Sequence, residues 1–173
     1  DMLIRNVLLE SDIVLDVQAP DKAAVLARAA VQLARRTGVD QQTINDALAA
    51  REQLGSTGFG SGIAIPHALI GGISAPAACF LRLGQPVAYD AIDDRPVGMA
   101  LGLLWPKQDT RGFLPGLAQV ARILRDGPTR KLLRTALTPA AALAYLDQGV
   151  EIEEMSPVRE PQNAGQGLYL QYA

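Results

Sequence analysis

The 173-residue chain contains one histidine, one cysteine and one tryptophan, and each scarcity removes a class of function. A lone thiol forms no internal disulfide, and Cys79 and His67, twelve positions apart, supply no closed set of metal ligands. Cys79 lies in the apolar run Ala77-Ala78-Cys79-Phe80-Leu81, with no charge within two positions to lower its pKa, and reads as a buried strand residue. Charge of neither sign dominates: 16 basic residues face 18 acidic ones, and no polybasic block gives nucleic acid an electrostatic foothold. No run reaches the roughly 18 apolar residues of a membrane span, and Asp1-Met2-Leu3-Ile4-Arg5-Asn6 lacks the apolar core of a signal peptide. The expectation is a cytoplasmic protein with no metal and no cofactor, touching neither membrane nor nucleic acid.

What is present fits one α/β domain. With 49% hydrophobic residues the chain is long enough for one well-buried core and short for two. Ile13-Val14-Leu15-Asp16-Val17 predicts a strand. Pro20-Asp21 opens a helix with Val25, Ala29 and Leu33 on one face, which Gly38 ends. Asp40 caps a second helix that carries Ile44, Leu48 and the pair Arg51-Glu52 up to Gly55. Ala77–Leu83 and Val97–Trp105 read as central strands limited by Pro86, Pro96 and Pro106. Leu114, Leu117, Ala121 and Leu124 trace a helical stripe that Gly127-Pro128 breaks, and residues 131–136 continue as a short helix. Thr138-Pro139 opens a last helix through about Leu146. The domain is expected over residues 1–150. Residues 151–173 form an acidic, then Pro/Gln/Asn/Gly-rich tail whose end, Leu168–Tyr172, alternates like an edge strand.

The densest chemistry lies in Gly55-Ser56-Thr57-Gly58-Phe59-Gly60-Ser61-Gly62-Ile63-Ala64-Ile65-Pro66-His67. A glycine-rich turn lets N–H groups converge on an anion, and an imidazole offers a nucleophilic nitrogen near neutral pH. Arg51 falls in the last turn of the preceding helix, where it is either a charge match to the helix dipole or a phosphate clamp. Asp93 and Asp94, before Arg95-Pro96, read as turn residues rather than an acid pair. The cluster has neither the Gly-x-Ser-x-Gly of a hydrolase elbow nor the Gly-Lys-Ser/Thr of a P-loop.

Three segments in order carry a resemblance: Arg51-Glu52-Gln53-Leu54-Gly55-Ser56-Thr57-Gly58, then Gly62-Ile63-Ala64-Ile65-Pro66-His67, then Tyr89-Asp90-Ala91-Ile92-Asp93-Asp94-Arg95-Pro96-Val97. Over about Leu3 to Leu146 the chain resembles the IIA domain of the phosphoenolpyruvate-dependent sugar phosphotransferase system, fructose/mannitol type, nitrogen-regulatory branch. The resemblance implies a mixed, largely parallel sheet with helices on both faces. It implies a phosphocarrier in which His67 accepts a phosphoryl group from an HPr-like carrier. Arg51, sixteen residues earlier, takes the place of the family's active-site arginine, with phosphate contacts from Ser56, Thr57 and Gly58.

The sequence departs from the family at one place. Many relatives carry a second histidine after the long apolar strand, where this chain has Thr110-Arg111-Gly112-Phe113-Leu114-Pro115, and neither Phe113 nor Pro115 donates a side-chain hydrogen bond. Arg111 there reads as a solvated helix-start charge or a phosphate-facing cation. Three functions follow as expectations. One is a regulator whose phosphorylation state controls a transporter or sensor kinase. Another is a sugar-transport relay that passes the group to a IIB domain, and the third is a binding module that has lost phosphotransfer. No fused IIB, IIC or HPr segment stands within these residues, which favours the regulator.

Overall fold

The computed structural model describes the backbone of residues 4–155 and the side chains of residues 4–147. In chain order the elements are α1 (Ile4–Val7), a 3-10 turn (Glu10–Asp12), β1 (Ile13–Val17), α2 (Lys22–Thr37), α3 (Gln41–Gln53), β2 (Gly58–Gly60), β3 (Ile63–Ala64) and β4 (His67–Ile70). Then follow β5 (Ala77–Val87), β6 (Val97–Pro106), α4 (Phe113–Arg125), α5 (Gly127–Thr135) and α6 (Pro139–Met155). The sheet order is β1-β5-β6-β3-β2, with β4 also on β6. The sheet is mixed: β1 runs parallel to β5, and β3 and β4 parallel to β6, while the long central pair β5/β6 and the β2/β3 hairpin are antiparallel.

Alternation along the strands sorts the core into two layers. Ile63, Ile65, Ala78, Phe80, Met99, Leu101 and Leu103 face α4, α5 and α6. Ala64, Ala68, Cys79, Leu81, Ala100 and Leu104 face α2 and α3. Both faces are covered, which is why β5 and β6 read as unbroken apolar runs. Burial makes Cys79 a packing residue and pushes its thiol up to about 12.

The helix starts follow the expected caps. Asp21 accepts the Ala24 N–H at 2.8 Å, Asp40 accepts that of Thr43 at 3.0 Å, and Thr138 Oγ1 accepts that of Ala141 at 3.1 Å. Gly38 ends α2 at φ 76°. Four elements differ from expectation. Gly127-Pro128 does not precede α5 but forms its first turn, because Asp126 caps it by accepting the Thr129 N–H at 3.0 Å and proline suits N1 or N2. β5 runs past Pro86 to Val87 through a register shift after Arg82, which lets the ladder absorb the missing N–H. The last helix continues to Met155, and Leu114 of the α4 stripe is 51% exposed rather than buried. The expected strand at Leu168–Tyr172 lies outside the described residues.

Candidate functional site

β3 and β4 are one strand interrupted at Ile65-Pro66. Ile63 and Ala64 pair with Met99 and Ala100, and His67 to Ile70 pair with Leu103 to Pro106 along the same edge of β6. At the interruption the Ile65 N–H donates to the Thr57 carbonyl at 3.0 Å, and the Pro66 carbonyl accepts the Leu103 N–H at 2.9 Å. The Ile65 carbonyl lies 2.7 Å from Nδ1 of His67. A carbonyl only accepts, so Nδ1 carries the proton and Nε2 keeps its lone pair. His67 is 7% exposed. Burial lowers its pKa below the ordinary 6.5, partly opposed by the Ile65 hydrogen bond, while the nearby charge of Arg51 depresses it further and that of Glu52 raises it. The result is a neutral imidazole with one basic nitrogen.

Arg51 approaches from the end of α3, where its half-buried side chain donates to the Gly55 carbonyl at 2.8 Å. Its neighbour Glu52 is buried, with 5% of its side chain exposed, and accepts from three directions. Lys22 Nζ lies 2.8 Å away, the Thr57 N–H donates at 3.1 Å and the Tyr89 hydroxyl at 3.2 Å, with the Thr57 hydroxyl donating as well. Burial, and then the Glu52 charge, push the Tyr89 phenol upward. Ser56 Oγ donates to the Tyr89 carbonyl at 2.7 Å and accepts the Gly58 N–H at 3.1 Å. The structure thus sets Ser56, Thr57 and Gly58 beside Arg51, with the Thr57 and Gly58 N–H groups turned to protein acceptors. A Cβ on Gly58 would stand 2.9 Å from that of Ala91, so only glycine lets the 89–92 loop close on this segment.

The second half of the glycine cluster is a hairpin rather than an anion cradle. Gly60, Ser61 and Gly62 turn β2 into β3 at φ 102°, 58° and 78°, and the Ser61 N–H donates to Asp93 at 2.9 Å. Asp93 also accepts the Arg95 N–H at 3.0 Å, and these two backbone bonds hold its carboxyl below the usual range. Asp93 and Asp94 are turn residues, as their sequence context indicates. Arg111 is exposed and forms a two-bond fork with Asp109, both bonds 2.8 Å. Phe113 stands against the His67 ring, with centroids 5.9 Å apart. Sequence reasoning gave Glu52 and Tyr89, quoted within the family segments, no role of their own and did not single out Lys22. One signal was available, since an acidic residue in the last turn of a helix opposes the dipole and needs a partner.

Among the described residues, no group of three or more His, Cys, Asp or Glu side chains is placed to hold a metal, and no helix is long and apolar enough to cross a membrane. The arrangement sets a neutral, oriented imidazole near the charge of Arg51. Comparison with known proteins gives this arrangement a context. A nitrogen regulatory protein of Pseudomonas aeruginosa is 40% identical over 139 residues, covering 80% of this chain and 90% of that protein. The crystal structure of nitrogen regulatory protein IIA-Ntr from Neisseria meningitidis superposes with a TM-score of 0.79 at 34% identity, covering 83% of this chain and 98% of that one. Enzyme IIA-mannitol of Escherichia coli, solved in complex with phosphorylated enzyme IIB-mannitol, shares the fold at a TM-score of 0.70 and 19% identity, covering 82% of this chain and 97% of its own. The family described as phosphoenolpyruvate-dependent sugar phosphotransferase system, EIIA 2, matches residues 6–149, and the chain belongs to it.

Proposed function

We propose that this chain is a regulatory phosphocarrier that accepts a phosphoryl group on Nε2 of His67 from an HPr-like carrier. The observation that carries the reading is the Nδ1 contact with the Ile65 carbonyl, which leaves a neutral ring with its basic nitrogen available beside Arg51. In the transfer the Nε2 lone pair forms a bond to phosphorus as the donor's P–N bond breaks, and the departing nitrogen keeps that electron pair. Arg51 leaves the Gly55 carbonyl to meet the equatorial oxygens, and Ser56, Thr57 and Gly58 wall the site. Because Nδ1 keeps its proton against Ile65, the product is a phosphoimidazolium. Onward transfer releases a neutral imidazole and needs no proton from solvent.

The regulatory output is supported by the likeness to nitrogen regulatory proteins. Phosphorylation attaches a dianionic phosphoryl group to a ring that becomes cationic, a net gain of one negative charge, and a transporter or sensor kinase that reads this change distinguishes the two states. A relay to a IIB domain is the second reading, favoured by the mannitol relative's complex with its phosphorylated IIB partner. The test is intact-mass spectrometry after incubation with phosphoenolpyruvate, enzyme I and an HPr-like carrier, alongside His67→Ala. One added phosphoryl group on the wild type and none on the variant is the expected result. No added mass on the wild type, with the carrier itself phosphorylated, refutes the proposal.

A further inference from the structure

Phe113, which stands with Pro115 in the segment where the sequence departs from its family, packs its ring against that of His67. Phe113 opens α4 directly after Gly112, which adopts φ 80° and lies against the Trp105 indole, where a Cβ would stand 3.3 Å from Cζ2. The Phe113 ring is tilted 52° to His67 at 5.9 Å and meets Trp105 edge-on, at 62° and 5.9 Å. Trp105 is 6% exposed and belongs to the α4-side core, so it backs Phe113 with a rigid wall. The imidazole is therefore held twice, at Nδ1 by the Ile65 carbonyl and on its ring by Phe113. A ring held only at Nδ1 still swings about that hydrogen bond and rotates about χ2. The second contact removes this freedom.

We infer that Phe113 is a positioning residue that fixes the direction of the phosphoryl-accepting nitrogen of His67 and screens that ring from water, making phospho-His67 a long-lived state. Phenylalanine offers no side-chain hydrogen bond, and supplies orientation and dryness instead. The phosphorylated half of this inference rests on the phosphocarrier reading; the orienting half does not.

Both halves are tested with Phe113→Ala and Phe113→Leu. The chain has a single histidine, so nitrogen-15 labelling of histidine reports His67 without assignment. In the wild type the two ring nitrogens resolve as one tautomer, protonated at Nδ1. In Phe113→Ala both resonances shift toward an average, with Phe113→Leu between. The His67 midpoint rises as water enters, while the charged groups that act on it, Arg51 and Glu52, are unchanged. The lifetime of phospho-His67 after removal of the donor shortens by about two- to tenfold in Phe113→Ala, the range expected for loss of one aromatic pair. Unchanged ring nitrogens in a folded Phe113→Ala or Phe113→Leu protein overturn the orienting role, and an equal or longer lifetime overturns the screening role. Failure of the wild type to take up phosphate removes the phosphocarrier reading, yet the nitrogen spectra still decide whether Phe113 orients the ring.

Discussion

Replacing Glu52 with glutamine changes one atom and one charge in a buried cluster, and the structure sets the size of the effect. The carboxylate accepts from Lys22 at 2.8 Å, the Thr57 N–H at 3.1 Å, the Tyr89 hydroxyl at 3.2 Å and the Thr57 hydroxyl. Glutamine keeps its carbonyl toward Lys22 and the Thr57 N–H. Its amide takes the other place, where the Thr57 and Tyr89 hydroxyls, 3.3 Å apart, rotate to accept. The loss is then charge assistance rather than connectivity, about 2 kcal/mol once the 23% exposure of Lys22 is allowed for. Glu52→Ala leaves the buried Thr57 N–H and Tyr89 hydroxyl without their acceptor and costs about 4 kcal/mol. At roughly 2–4 °C per kcal/mol for a domain of this size, Tm falls by about 4–8 °C and 8–16 °C respectively. Urea unfolding at pH 7 with an unchanged slope is the assay. A Glu52→Gln protein within about 0.5 kcal/mol of wild type refutes the reasoning. So does Lys22→Met costing as much in the Glu52→Gln background as in the wild type.

Under the proposed phosphocarrier role, Arg51→Met lowers the rate of phosphoryl transfer by roughly 100- to 1,000-fold, while Tm changes little because the side chain is half-buried and gives up only its bond to the Gly55 carbonyl; Arg51→Lys recovers only part of the rate, read by quenched-flow mass spectrometry. His67 has its folded pKa below its unfolded value, so in the window beneath about 6.5 the unfolded chain binds more protons and stability rises with pH. The His67 contribution is complete above that value and is lost as pH falls toward the folded pKa. Urea titrations across this window should therefore show a steeper acid-side loss in wild type than in His67→Gln. Gly58→Ala drives a methyl into Ala91 and Tyr89 at 2.9 and 3.1 Å and costs about 1–3 kcal/mol, with raised amide exchange in the 89–92 loop.

Elements governed by local chemistry were legible before the structure. Asp21, Asp40 and Thr138 cap the helices they precede, Gly38 ends α2, and the apolar runs of β5 and β6 are central strands covered on both faces. Competing signals went astray where one residue type serves two purposes. Gly127-Pro128 looks like a breaker until the Asp126 cap makes it a first turn. The glycines at 60 and 62 look like an anion cradle, yet they are what a hairpin with three successive positive φ values demands, and Asp93 takes the Ser61 N–H from 32 residues away. His67 and Arg51 stood out by motif. The Glu52 cluster did not, because Lys22, Thr57 and Tyr89 come from separate elements, and only the packing of α2, α3 and the 89–92 loop brings them to one carboxylate.

The break between β3 and β4 places the selectable information in the backbone. Along this edge the carbonyls of Gly62 and Pro66 serve β6, so that of Ile65, between them, faces away from β6 and is left for the imidazole of residue 67. Pro66 has no donor and no reactive atom, yet its fixed φ sets how the chain passes from the Ile65 carbonyl to the His67 side chain. In a saturation library scored for phosphoryl uptake, tolerance at position 66 should therefore follow φ preference rather than polarity or size. It would then behave as an active-site position whose side chain never meets the substrate.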